Sequence, residues 1–259
     1  MLYIASKVLA ESLLSLYPVF VKHIDLPIKT QMWSRFFTYT VISFFFIDKT
    51  ILNLLPSFYG VLLMLVTMVH VYTSYKGFLL LESGISYALF YTYPLFIYLG
   101  SYFSLTPYFI FPILGTWLLF YDNKSLNTFG VFMILLASIT EAMIYFIVRK
   151  LKTSNPWNHV FISYVLGAVF FTKFATTATN VSWSLVINAI IGLAGYLLRF
   201  FSMAHLSPLL YSFLSYVGIV MAFVYGVIFN GESLTMTKLF ATILILIPSM
   251  QQIIQNKNK

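Results

Sequence analysis

The chain has no cysteine and very little charge. Among its 259 residues are 7 acidic and 15 basic side chains and 4 histidines, and charged residues make up only 8%. Without cysteine there is no disulfide framework, no thiolate metal site and no cysteine nucleophile. A soluble domain carries about 25% charged residues, so this scarcity excludes a soluble globule, and the apolar content excludes a disordered chain. There is no glycine-rich phosphate loop of the Walker type and no His/Asp/Glu cluster with metal-ligand spacing. ATP-driven transport through this chain, a resident metal and a cofactor are therefore not expected. No polar catalytic cluster stands out, so an enzyme is not expected either.

What is present is apolar and aromatic. Hydrophobic residues reach 60%, with 27 Phe and 19 Tyr. This is the composition of a polytopic membrane protein. The net charge of +8 could suggest nucleic acid, but most basic residues are scattered among connectors between apolar runs. That distribution suits retention and orientation in a bilayer, so no nucleic-acid partner is expected.

A membrane helix needs roughly 20 mainly apolar residues. Ten runs qualify, near Tyr3–Phe20, Trp33–Ile47, Ser57–Thr73, Gly84–Phe103, Pro107–Tyr121, Thr128–Val148, Pro156–Phe174, Val181–Ala204, Pro208–Phe229 and Met236–Ile254. The runs lack the alternation of barrel strands and are too long for them. The first has no basic start and no small-residue cleavage site, so it reads as a retained helix. The expected fold is an all-α polytopic membrane protein with ten transmembrane helices.

An internal repeat divides those helices. Residues Phe78–Pro94 align without gaps on Ser202–Gly218, which sets Ser83 on Ser207, Tyr87 on Tyr211 and Pro94 on Gly218. The Ser104–Thr106 segment then echoes Ser233–Thr235, and Tyr17–Lys22 resembles Tyr145–Lys150. The order of these matches points to duplication: five helices in residues 1–122 and five in 123–259. An odd number per half forces opposite orientations, the inverted-repeat architecture of many secondary transporters. The basic residues divide almost evenly between the two sides. Both termini are expected in the cytoplasm, because the C-terminal tail and the Arg149–Lys152 cluster then lie there. In this scheme Lys7 and Arg35 count as flanking charges, and Asn123 and Asn180, in glycosylation patterns, fall outside.

Particular residues carry a resemblance. The first helix reads Val8-Leu9-Ala10-Glu11-Ser12 with Lys22 beyond it, and the fourth reads Gly84 to Phe90. The ninth and tenth read Ser207 to Tyr216, then Asn230-Gly231-Glu232-Ser233-Leu234-Thr235 and an apolar helix. Over nearly the whole chain this resembles the drug/metabolite transporter superfamily in its ten-helix EamA-like form. The Leu9-Ala10-Glu11 segment is similar to small multidrug resistance proteins. One departure is that Gly231-Glu232 has no counterpart in the first half, where Tyr102-Phe103 precede Ser104. The resemblance implies secondary active transport of a small organic solute by alternating access, with the bilayer and the solute as partners and a monomer or homodimer as the unit. It also implies an essential proton- and cation-binding carboxylate at Glu11, with Glu141 in a similar place in the second half.

The residues themselves agree with this reading. A charge at mid-bilayer costs at least about 2.5–3.5 kcal/mol on insertion scales, so it is usually kept for function. Glu11 continues into a polar stripe with Ser15, Pro18 and Lys22, and Glu141 shares a face with Ser138 and Tyr145. A desolvated carboxylate can exchange a proton for a cation. Glu11 is expected to face a water-accessible central cavity. His70, inside helix three with Thr67 and Ser74, can relay protons. Tyr87 and Tyr91 belong to a stripe with Pro94 and Tyr98, opposite Tyr211, Ser215, Gly218 and Ala222 of helix nine. That tyrosine wall is expected to line the cavity, and aromatic faces bind cations.

Arg199 can bind an anion or snorkel to lipid headgroups; snorkelling is the expectation. Glu82, Asp25, Asp48 and Asp122 read as solvated, and Glu232 as a cap on the turn into helix ten. The candidate substrate and proton site is thus Glu11, Glu141, His70, Ser15, Tyr87, Tyr91, Tyr145, Tyr211 and Arg199. Carboxylates plus tyrosines favour a cationic or zwitterionic solute such as an amine, an amino acid or a drug-like compound. An organic-anion or nucleotide-sugar/sugar-phosphate exchanger of the same superfamily is the alternative, and a non-transporting membrane scaffold is the alternative of another class.

Overall fold

The structure, a computed structural model, describes residues 2–102, 110–111, 114–115, 117–118, 126–174, 183–244 and 247. Every regular element among them is helical. In chain order these are α1 (Leu2–Leu14), α2 (Tyr17–His23), α3 (Ile28–Phe44), α4 (Ile51–Leu54), α5 (Phe58–Leu80), α6 (Ser83–Phe90) and α7 (Tyr93–Tyr102). Then come α8 (Thr128–Leu151), α9 (Pro156–Phe171), α10 (Trp183–His205), α11 (Pro208–Ser215) and α12 (Val217–Asn230). A further helical stretch covers 236–244. Most of the expected fifth helix lies outside the described residues. So do the Ser104–Thr106 echo, Asp122, Asn123, Asn180, the side chain of Tyr98 and the chain after 247.

Local chemistry accounts for where helices start, break and stop. The side-chain oxygens of Ser57, Asn127 and Asn155 cap α5, α8 and α9, accepting from the amides of Gly60, Gly130 and Trp157. Each satisfies a donor that the first turn leaves free. Helix α12 ends at Gly231, whose φ of +63° is a backbone setting that glycine adopts without a Cβ clash. Pro18 splits the first span into α1 and α2. Proline has no amide hydrogen to offer the carbonyl four residues back, and that carbonyl, on Leu14, instead accepts the Tyr87 hydroxyl. The fourth span breaks at Tyr91–Thr92, ahead of Pro94, and the ninth breaks at Tyr216. The gapless alignment pairs Thr92 with Tyr216, so the two breaks coincide.

Helices pair through glycines. A Cβ on Gly77 of α5 would stand 2.3 Å from Ile134 of α8, and one on Gly167 of α9 would stand 2.3 Å from Phe36 of α3. Bare backbone lets membrane helices approach closely, where dispersion and weak polar contacts replace hydrophobic drive. The main packed pairs are α5 with α8, α3 with α9, α1 with α10, α5 with α9, and α6–α7 with α12 and α11.

Burial is inverted relative to a soluble protein. Large apolar side chains such as Phe45, Phe58, Val169 and Trp183 stand on the outside, whereas Lys7, Glu11, Arg35, Glu141 and Arg199 are each at most 4% exposed. Such a surface fits hydrocarbon as solvent, with charge turned inward. Four spans are long and apolar enough to cross a bilayer, by length and composition, among the described residues: Leu2–His23, Phe58–Leu80, Thr128–Leu151 and Leu185–His205.

Candidate functional site

Two arginines organise the interior. Arg199, on α10, sits between the two expected glutamates. Its Nη1 donates to Glu141 Oε1 of α8 at 2.7 Å, and its Nη2 lies 3.2 Å from both oxygens of Glu11 on α1. Glu11 also accepts from Lys7, one turn earlier on α1, and from the Tyr91 hydroxyl. The Lys7 ammonium lies 3.5 Å above the ring of Tyr211, and its next hydroxyl is that of Tyr93, at 3.4 Å. Tyr93 in turn donates to Ser215 at 2.6 Å. The fit is close, because a Cβ on Gly218 would stand 2.2 Å from the Tyr91 hydroxyl. Tyr91 of the expected stripe thus meets Gly218, while Ser215 is met by Tyr93, which the stripe did not include.

His70 of α5 reaches across to Glu141 of α8, with its Nδ1 also 3.2 Å from the Thr140 hydroxyl. His70 Nδ1 is 3.1 Å from the Ala137 carbonyl. A carbonyl only accepts, so Nδ1 carries the hydrogen. Its Nε2 lies 3.4 Å from Glu141 Oε2, which has no other partner among the described residues. A neutral imidazole of that tautomer would turn a lone pair toward a carboxylate. The arrangement sets the edge of the imidazole against the carboxylate.

The second arginine, Arg35, lies near the middle of α3 and has no carboxylate within ion-pair distance among the described residues. It is held by the faces of Tyr17, Tyr39, Tyr75, Tyr164 and Tyr196, with its guanidinium carbon 4.7–5.6 Å from their centroids. Nη2 donates to the Tyr164 hydroxyl at 2.8 Å. Between Arg35 and Arg199 is a cavity of about 20 Å³, which His70, Tyr87, Phe90 and Tyr196 also line. That volume accommodates about one water.

Several expectations change here. Arg199 does not snorkel. It is buried, because two carboxylates inside the bundle bind it better than headgroups at the rim. Lys7 and Arg35 are not flanking charges. Helix α3 starts at Ile28, five residues before the apolar run, which draws Arg35 inward, and Glu11 draws in Lys7. Glu11 does not face an open cavity, because three donors surround it. Tyr87 lines the small cavity, while Tyr91 turns to Glu11 instead. Ser15 is buried but only back-bonds to the Ser12 carbonyl, at 2.9 Å. Tyr145 packs against Tyr211 and accepts from Arg149 at 3.1 Å, to one side of the glutamates.

Glu232 does not serve the turn into the last helix. Its carboxylate accepts from the Ser83 and Gly84 amides at 2.7 and 3.2 Å, capping α6, and pairs with Lys22 at 3.0 Å. Burial opposes its ionisation, but the Ser83 amide and hydroxyl and the Lys22 ammonium outweigh that and hold the carboxyl down at about 2. Glu82 pairs with Lys238 at 2.5 Å rather than standing free in solvent. No group of three metal-ligating side chains occurs among the described residues.

Sequence reasoning missed Arg35, Lys7 and Tyr93 as members of the interior. A signal was available for two of them. Lys7 and Arg35 both fall inside apolar runs, where a charge is as costly as at Glu11.

The inverted burial, the long apolar helices and the ionic interior define a multi-pass integral membrane protein. Residues 128–249 match the EamA-like transporter family. That match places residues 128–249 with a transporter family of the drug/metabolite transporter superfamily, which is not an enzyme family. One solved crystal structure is similar over 96% of this chain and 95% of its own, with a TM-score of 0.63 and 14% identity. At that identity the likeness is one of fold alone. No curated protein matches the chain.

Proposed function

We propose that the protein is a secondary active transporter of a small organic solute, working by alternating access between residues 1–122 and 123–259 as inverted five-helix halves, with both termini cytoplasmic. The observation that carries this is the ionic interior of an EamA-like bundle, where Arg199 ties a glutamate of one half to a glutamate of the other. Ion pairs that cross between halves can break and re-form as the halves rock, so the solute or a proton can bias the exchange.

The packing supports the inverted halves. If spans one to five correspond to six to ten, the pairs α1 with α10 and α5 with α8 interchange. The pairs α3 with α9 and α6–α7 with α11–α12 map onto themselves. That is the pattern of a pseudo-two-fold axis. The coincident breaks at Thr92 and Tyr216 agree with it.

We place the proton role on the His70–Glu141 pair rather than on Glu11, because Glu11 meets two cations, Lys7 and Arg199, whereas Glu141 shares one of them and keeps an oxygen facing His70. The preference for a cationic solute loses its footing for the same reason. In proteoliposomes, uptake driven by a pH gradient collapses in Glu141→Gln, while solute exchange without a gradient persists. Glu11→Gln keeps the response to pH. If Glu11→Gln alone abolishes that response, the proton site returns to the first helix. If the wild type exchanges no solute from a broad metabolite panel, the transporter reading fails.

A further inference from the structure

Resting on the transporter reading, we infer that the Arg35–Arg199 cavity is an oxyanion site, selecting solutes with one carboxylate or phosphate head on a flat apolar body. Three observations converge on it. Both arginines line the cavity and are at least nine-tenths buried, at 4% and 2% exposed. The Nε–H of each is a buried donor with no hydrogen-bond partner among the described residues. A buried donor left unpaired is costly, and a charged one more so, so such groups are kept where a ligand completes them.

The second observation is the charge balance. The described buried charges are Lys7, Arg35, Arg199 and Lys238 against Glu11 and Glu141, and Lys238 is set apart from the others by its pairing with Glu82. Both carboxylates are engaged by Lys7 and Arg199, which leaves the Arg35 charge uncompensated. Tyrosine faces soften a buried cation, but they carry no net charge to cancel it. An incoming anion supplies the missing charge, whereas a cation meets repulsion from Arg35 and no free carboxylate.

The third observation is the shape of the wall. Tyr17, Phe78, Tyr87, Phe90 and Tyr196 close the cavity with rings. Guanidinium forks match the planar geometry of a carboxylate or the oxygens of a phosphate, and the rings suit a flat apolar remainder. At about 20 Å³ the cavity takes no more than a water-sized group, so entry of a solute requires α3 and α10 to part. That ties anion binding to the motion that exchanges access between the halves.

The test uses the full-length chain purified in detergent and three probes that share one body: phenylacetate, phenylphosphate and 2-phenylethylammonium. At about 10 mM, at least one of the anions raises the melting temperature by roughly 3 °C, while the ammonium compound leaves it unchanged. Whichever anion gives the larger shift names the head group. Arg35→Gln abolishes the shift. Arg35→Lys, which keeps charge but loses the Nε fork, weakens binding about tenfold. A shift with the ammonium compound alone, an undiminished anion shift in Arg35→Gln, or no shift with either anion overturns the site. Solute exchange in proteoliposomes separates the two readings. If amines exchange and the anions do not bind, the oxyanion site fails and transport stands. If the anions bind and no solute exchanges, the site stands and transport fails.

Discussion

Arg199 and Arg35 are both buried near mid-depth in the same bundle, on either side of one small cavity, yet they are treated in opposite ways. Arg199 is surrounded by carboxylates from α1 and α8, while Arg35 is surrounded by tyrosines from five helices and no carboxylate. The contrast separates a structural charge from a poised one. A compensated charge knits helices together and is costly to remove, because its partners are left behind. An uncompensated one adds little to stability and holds potential for a ligand. The pair also shows why a bundle rich in glutamates can still favour an anion. What counts is the charge left over after internal pairing.

The comparison can be broken most directly at Arg199. Arg199→Leu strands Glu141 with only His70, and unfolding in detergent should be easier by about 3–5 kcal/mol. A loss below about 1 kcal/mol would mean that the carboxylates find water or other partners, and the distinction between the arginines would collapse. A smaller effect is expected from Gly218→Ala, which thrusts a methyl group into the Tyr91 hydroxyl and disturbs its bond to Glu11. Overpacking of this kind costs about 1–3 kcal/mol. Thermal unfolding of Gly218→Ala beside Gly218→Ala/Tyr91→Phe checks the cause, because removing the hydroxyl should restore part of the loss while the ring Cζ, 2.6 Å from the new methyl, still presses on it.

Arg35→Met is expected to change stability by less than about 1 kcal/mol, since loss of the tyrosine contacts is offset by removal of an uncompensated charge. A loss as large as that of Arg199→Leu would make Arg35 a structural residue too. The smallest effect concerns the carboxylate outside the interior. Glu232 has its folded-state value held at about 2, below the ordinary 4.5. The stability it adds is therefore complete above about 4.5 and is lost as pH falls through about 2. Glu232→Gln should flatten the acid limb of the stability profile between those values and leave neutral pH behaviour of the two arginines alone. An unchanged acid limb would assign acid loss to other carboxylates.

Much of the fold was legible in the order of residues. The described helices other than α4 lie largely on the apolar runs, because the length and apolarity that favour a bilayer are local properties of the chain. Pro18 and Pro94 stand beside the breaks of the first and fourth spans, where proline lacks the amide that a helix needs. Glu11, Glu141, His70 and Tyr91, named together from the sequence, are joined in the structure through Arg199 and direct contacts, since a charge inside an apolar run must find company. Arg35 was misplaced because the apolar run was taken to begin at Trp33. Helix α3 begins earlier, at Ile28, through Lys29, Thr30 and Gln31, residues that hydropathy alone assigns to a loop.

By itself the sequence determined an all-helical chain with charges committed to an apolar interior. Those features rest on hydropathy, on helix period and on the missing amide of proline, all of which act over a few residues. Only the tertiary structure decided which charges meet. It set Arg199 between two glutamates 130 residues apart in sequence, turned Glu232 back to cap α6, and gathered Tyr17, Tyr39, Tyr75, Tyr164 and Tyr196 around Arg35. The physical reason is that spacing along a helix encodes which face a side chain occupies, whereas its partner across the bundle depends on how whole helices pack. That packing was set by glycine contacts such as Gly77 on Ile134 and Gly218 on Tyr91, and a glycine in a sequence does not say whose side chain will fill the space above it.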